Sequence, residues 1–213
     1  MKISHHPSEE LLVSYASGSM TEPVALVIAT HLAMCPACRR IVADAEATGG
    51  ALLEELQPQI LRPDALNSAL ERLNSTHRAP AQKSRSNFGA PEPLNSYLSR
   101  PLDETKWIHV TPWLAIKPLT TRGGTRAQLI RSAPGSGVSL HTHRGEELTL
   151  VLQGGFSDEY GHYGPGDLQT ATPETQHTPI ADMDSYCINL AVTDAPLVFK
   201  NWSVGVIAKL FGF

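Results

Sequence analysis

Residues 135–154 read GSGVSLHTHRGEELTLVLQG, and this stretch decides the fold. His141 and His143 are two positions apart, so on an extended strand both imidazoles leave the same face. Arg144-Gly145 supplies a turn, and Glu147 heads the apolar run Leu148 to Leu152, so its carboxylate can come back to that face on the next strand. Two imidazoles and a carboxylate converging on one point make most of a metal's shell. One more nitrogen from a later strand would complete it, and His162 and His177 are the residues available. His162 lies in YGHYGPG, which reads as a turn, whereas His177 stands in a strand-leading position after Pro173. Three imidazoles with a carboxylate suit zinc, iron, manganese or nickel.

The flanking sequence has the same β grammar. Short runs at Trp113–Ile116, Gln128–Ile130, Leu148–Leu152, Tyr186–Val192 and Leu197–Phe199 are separated by turns such as Pro134-Gly135, Gly154-Gly155 and Gly164-Pro165-Gly166. Regular short strands with such punctuation predict a sandwich or barrel of the jelly-roll kind. The apolar tail Val204–Phe213 reads as an edge strand or a packed end.

Upstream the period changes. Ser8 can cap a helix whose Leu11, Leu12 and Tyr15 share a face, with Gly18 ending it. A second helix starts at Glu22-Pro23 and runs past His31; a third starts at Pro36 and reaches about Leu56, with a kink or break expected at Gly49-Gly50. A fourth follows Pro63-Asp64 and places Leu66, Leu70 and Leu73 at helical spacing. Four short helices bury little, so a metal, a partner or both should support them. Pro, Ser, Asn, Gly and charged residues then take over. The chain therefore divides into an all-α part, 1–78, a flexible linker, 79–96, and an all-β part, 97–213.

The all-α part carries its own donor set. Cys35 and Cys38 bracket the start of the third helix, whose N-terminus favours thiolates, and His31 ends the second. A structural zinc wants four ligands, and His5, His6 and His77 are the unused histidines in this region. A disulfide or thioredoxin-like pair is disfavoured, because the helical context lacks a βαβ unit and no export signal precedes it.

Charge narrows the function. The 213 residues carry a net charge of −4, with −1 over residues 1–85 and −3 over residues 86–213. Neither half is basic, so direct nucleic-acid binding is disfavoured. The longest apolar run, Val24–Ala29, is far short of the ~20 residues that span a bilayer, and residues 1–7 hold no apolar signal segment. A cytoplasmic protein with no membrane partner is expected.

The His31-x3-Cys35-x2-Cys38 element on two helices, with a histidine about 25 residues upstream, resembles the zinc-binding anti-sigma domain. Carried over by position, His31, Cys35 and Cys38 match that motif and His6 matches the upstream ligand, with His5 its neighbour. The second stretch resembles cupin motif one, Gly-x5-His-x-His-x3-Glu-x6-Gly, at every defined position. The second cupin motif is matched less well: Pro173-Glu-Thr-Gln-His177 is one residue short and lacks the glycine, and Ala181 stands where asparagine is usual. Together the halves resemble the ChrR-type anti-sigma factors, in which the two domains are fused.

The resemblance implies zinc in both sites, on His6, His31, Cys35 and Cys38 and on His141, His143, Glu147 and His177. It further implies a 1:1 complex with an extracytoplasmic-function sigma factor, keeping that factor from core RNA polymerase. Release would follow singlet oxygen or a related oxidant acting through the cupin-like domain. Leu11/Leu12, Val24/Val27/Ile28 and Leu52/Leu53/Leu56 are candidate partner contacts, with the fourth helix as a clamp. Cys187, Trp107, Trp113, Met183 and Trp202 are candidate oxidation targets. The competing reading is a metal-dependent cupin enzyme, a dioxygenase or isomerase, with the helical zinc domain as an accessory.

Overall fold

A computed structural model describes residues 2–75, 89–122, 125–195 and 197–199. The helical part contains α1 (Glu9–Ala16), α2 (Glu22–Met34), α3 (Pro36–Glu54) and α4 (Ala65–Ser75), followed by the short α5 (Glu92–Asn95). Ser8 caps α1 by accepting the Leu11 amide at 3.3 Å, with Glu9 and Glu10 beside the positive end of the helix dipole. Gly18, at φ +69°, ends that turn. The chain bends by 119° between α2 and α3 at Cys35, where Pro36 restarts the helix. No single helix among the described residues is long and apolar enough to cross a membrane.

The expected break at Gly49-Gly50 does not occur, and α3 continues to Glu54. Both glycines are exposed and meet no packing partner. Each costs helix propensity of about 1 kcal/mol against alanine, which is too little to interrupt a helix anchored upstream by Cys38 and Val42.

Among the described residues the β part has eleven strands: β1 (Ile108–His109), β2 (Leu114–Pro118), β3 (Arg126–Ser132), β4 (His141–His143), β5 (Glu147–Gln153), β6 (Phe156–Asp158), β7 (Gly161–Tyr163), β8 (Leu168–Ala171), β9 (Ile180–Ala181), β10 (Cys187–Thr193) and β11 (Leu197–Phe199). A six-stranded antiparallel sheet runs β1-β2-β3-β10-β5-β8. The smaller sheets β7-β6-β9 and β11-β4 complete the fold. All seven residues of β10 are buried, as its central position requires. Gly154 turns β5 into β6 at φ +67°, and a Cβ there would come within 2.4 Å of the Tyr186 carbonyl, so the closing glycine of the 135–154 stretch is a steric necessity. The segment YGHYGPG, expected to be all turn, instead places His162 in β7.

The two parts share one core. Leu12, Leu26, Val27 and Ile28 from the helices form a single buried cluster with Leu148, Leu150, Leu190 and Val192 from β5 and β10. α2 lies on those two strands and is buried at Leu26, Val27, Ile28, Thr30, His31 and Leu32. The support that four short helices need thus comes from the chain's own sheet. The end of the stretch expected as linker is ordered: Leu94 of α5 is fully buried against α2. Glu22 adds a polar tie, accepting the Tyr97 hydroxyl and the Arg122 amide, both at 2.8 Å. His77, residues 79–88, Trp202 and the tail Val204–Phe213 lie outside the described residues.

Candidate metal centres

The bend between α2 and α3 brings Cys35, Cys38 and His31 to one point, all three buried. The segment before α1 supplies the fourth group. His6 Nδ1 lies 3.5 Å from Cys35 Sγ and 3.4 Å from Cys38 Sγ, and His31 Nε2 lies 3.3 Å from Cys38 Sγ. A tetrahedral ion with bonds of about 2.3 Å to sulfur and about 2.0 Å to nitrogen sets its donors roughly 3.5 Å apart, so these four groups have the spacing of a metal's first shell. His5 faces the other way, its ring 4.3 Å from that of Tyr163. The alternation of an extended segment thereby separates the two neighbouring histidines.

The protonation states agree with this. Burial, above all, holds His31 down to about 4, so its imidazole is neutral at physiological pH. Its Nδ1 lies 2.8 Å from the Gly166 carbonyl, which requires the proton on Nδ1 and leaves the Nε2 lone pair facing the thiols. Burial, reinforced by Cys35, pushes the Cys38 thiol up to about 12. Two adjacent buried thiolates need a cation, and the donor set is suited to one.

The second cluster sits between the large sheet and the small ones. β4 alternates buried, half-buried, buried over His141, Thr142 and His143, as its spacing predicts. His177 is set opposite His141 by a reciprocal pair of backbone hydrogen bonds of 3.2 Å. Its Nε2 is 3.1 Å from Nε2 of His141 and 3.2 Å from Nε2 of His143. Lone pairs converging at that separation repel unless a proton or a metal lies between them. Burial and the neighbouring His177 hold His141 down to about 4, which disfavours the proton.

Glu147 stands beside this trio rather than within it: its carboxylate is 3.4 Å from Nδ1 of His143, a buried atom with no hydrogen bond. Burial acts to raise the Glu147 pKa, but His143, His141 and the Thr149 hydroxyl outweigh it and keep the group ionised. His162 is not part of the cluster and pairs instead with Asp182 at 3.0 Å on the surface.

Sequence reasoning misses the residues behind these donors. Asp158 of β6, with its side chain fully buried, accepts Nδ1–H of His177 at 2.8 Å and Nε2–H of Gln169 at 2.6 Å. The Ser139 carbonyl lies 2.9 Å from Nδ1 of His141. Both partners turn Nε2 toward the cluster, as groups behind metal-bound histidines do. Nothing in the periodicity around Asp158 marks it, because a buried carboxylate on a short strand is visible only once its partner strand is placed. A cavity of about 60 Å³ adjoins the cluster, lined by His141, His177, Glu147, Gln169, Cys187 and Asn189 among others.

The comparisons with known proteins follow this division. Residues 98–195 match the family model described as the ChrR cupin-like domain. Over 99% of this chain and 99% of the relative, the sequence is 40% identical to the anti-sigma-E factor ChrR of Cereibacter sphaeroides. The chain belongs to the ChrR family of anti-sigma factors. Like other members, it joins N-terminal helices to a C-terminal cupin-like β domain. Among solved structures, that of Rhodobacter sphaeroides SigE in complex with the anti-sigma ChrR is similar over 91% of this chain and 100% of that one, at 39% identity and a TM-score of 0.80. KdgF from Halomonas aligns with 43% of this chain and 89% of its own, at 26% identity and a TM-score of 0.37.

Proposed function

We propose that this protein is a cytoplasmic anti-sigma factor that holds an extracytoplasmic-function sigma factor in a 1:1 complex and keeps it from core RNA polymerase. The single observation that carries this reading is an exposed apolar surface. Leu52 and Leu53 near the end of α3, Leu56 just beyond it, and Leu66, Leu70 and Leu73 of α4 are all exposed, and no described residue of α4 is buried. Six exposed leucines between positions 52 and 73 mark a candidate interaction site. The other faces considered for the partner serve the core instead: Leu12, Val27 and Ile28 are buried within the chain, and Leu11 and Val24 pack partly against them. The partner surface therefore narrows to the end of α3 and to α4, within a sigma-binding part at 1–78. The segment 79–96 connects that part to a regulatory part at 97–213.

The metal at the first site is zinc, held by His6, His31, Cys35 and Cys38, two sulfurs and two nitrogens at tetrahedral spacing. Zinc bound there supplies a rigid link between the segment before α1 and the α2–α3 bend. The second site is also a zinc site, on His141, His143 and His177, with Glu147, whose carboxylate stands beside the trio, closing in as the fourth donor when the ion binds. The regulatory part responds to singlet oxygen or a related oxidant and does not turn over a substrate. The adjoining cavity of about 60 Å³ admits a small oxidant and is well below the roughly 300–1,000 Å³ of small-molecule ligand pockets.

Among the oxidation targets, Met183 and Trp113 are exposed, Trp107 is partly covered by the Arg131 guanidinium, and Cys187 is buried. Burial pushes the Cys187 thiol up to about 12, and it donates to Asn189, so it is a poor nucleophile toward peroxides.

Transcription in vitro tests the reading. The full chain, mixed with the sigma factor that co-purifies with it, should abolish transcription from that factor's promoter, and light with a photosensitiser should restore it. Undiminished transcription at saturating protein overturns the anti-sigma reading. Repression that illumination does not relieve overturns the oxidant reading alone.

A further inference from the structure

The turn between β7 and β8 makes polar contacts with His31 and with the segment that precedes His6. The Gly166 carbonyl takes the Nδ1 proton of His31, 135 positions away in sequence. Next to it, Asp167 accepts the backbone amides of Ser4 at 2.7 Å and His5 at 2.8 Å through one oxygen, and the Gly164 amide at 2.9 Å through the other. The Leu168 amide donates to the His5 carbonyl at 3.1 Å. His6, the next residue in the chain, turns its Nδ1 to both cysteines. Three consecutive residues of the β part therefore hold one of the four donors directly and the segment that leads into a second. Position 166 favours glycine, since its φ of +92° disfavours any side chain, and a Cβ there would lie 2.6 Å from Ile3 Cδ1, so the Ile3 side chain would have to move.

We infer that residues 166–168 are the positioning element of the N-terminal metal site, with Asp167 holding the His6 segment and the Gly166 carbonyl orienting His31. This rests on the reading of His6, His31, Cys35 and Cys38 as ligands. Asp167 touches no metal donor directly; it acts through the backbone of Ser4 and His5. Because both of its oxygens face only donors, no amide can replace it without turning an NH₂ group toward an N–H. The site is complete only while the β part is docked, and by linkage metal in the site strengthens that docking by the same factor. An event that dislodges the 166–168 turn loosens both histidines together.

The test uses the full chain loaded with cobalt(II). Only the first site contains sulfur, so the near-ultraviolet thiolate-to-cobalt band reports it alone, while the all-imidazole and carboxylate site shows only weak visible bands. Asp167→Asn, which is isosteric, and Asp167→Ala should lose the thiolate band to a chelator about 10- to 100-fold faster than wild type, the usual cost of removing an outer-shell partner. The visible bands of the second site should decay at the wild-type rate. Should Asp167→Ala fail to fold, Asp167→Asn gives the same comparison. An unchanged rate in Asp167→Asn, or equal acceleration at both sites, overturns the inference. Absence of the thiolate band in wild type overturns the ligand reading itself.

Discussion

Replacing Leu66, Leu70 and Leu73 together with alanine should separate binding from folding. These residues are 70%, 47% and 72% exposed, so the fold leaves much of their apolar surface open for a sigma factor to cover. Full burial of a leucine side chain contributes about 1.5–3 kcal/mol. The exposed fractions amount to nearly two whole side chains, which puts the loss on truncation at about 4 kcal/mol, or roughly a thousand-fold in Kd. Alanine keeps the propensity of α4, so the melting temperature should stay near that of wild type. Calorimetric titration against the co-purifying sigma factor measures the first quantity and thermal unfolding the second. A triple variant that binds within about three-fold of wild type, a difference under ~0.7 kcal/mol, would show that α4 is not the contact surface. A variant that loses binding only because it melts early would show that these leucines belong to the core.

Three further outcomes are expected. Asp158→Asn should weaken metal binding at the histidine trio by about 10- to 100-fold while leaving the Cys35/Cys38 site at wild-type affinity, measured by competition with a chromophoric chelator; equal affinity in the variant would remove Asp158 from the site. Gly49→Ala with Gly50→Ala should stabilise α3 by up to ~1 kcal/mol per position, seen as slower amide exchange over 45–54, because neither new methyl meets a neighbour. Unchanged exchange there would mean the end of α3 is already fixed by other contacts. Glu22 is held below its usual 4.5, first by the Tyr97 hydroxyl and then by the Arg122 amide, so the unfolded chain takes up its proton before the folded one does. Its contribution is therefore present above pH 4.5 and lost as pH falls through the lowered value. The stability gap between wild type and Tyr97→Phe should be widest near neutrality and close on the acid side of 4.5, and a gap independent of pH would count against the Glu22 tie.

What could be read from the chain depended on how local the determining contacts are. Helices α1 to α4 were legible because caps, prolines and 3.6-residue spacing act within one turn, and Ser8, Pro23 and Pro36 stand where those rules place them. His141 and His143 were legible for the same reason, being two apart on one strand. His177 took a resemblance as well as spacing, since its place depends on a backbone pairing with His141 formed across 36 residues. The partner face was only partly legible. Val24, Val27 and Ile28 look as apolar as Leu66, Leu70 and Leu73, and nothing in either run states which one the sheet will cover.

The same limit explains why the roles of Asp158, Gly166 and Asp167 behind the metal donors gave no signal. Each is an ordinary polar or turn residue in sequence, and each acquires a role only from an element far away in the chain. They also lie close together: Asp158 binds both His177 and Gln169, and Gln169 is three residues after Gly166 and two after Asp167. The outer shells of the two candidate metal centres thus meet on one strand and the turn that precedes it. A chain with two independent sites on two independent domains would need no such meeting point. A chain whose two parts are to communicate does need one, and β8 with its preceding turn is an element here that contacts both.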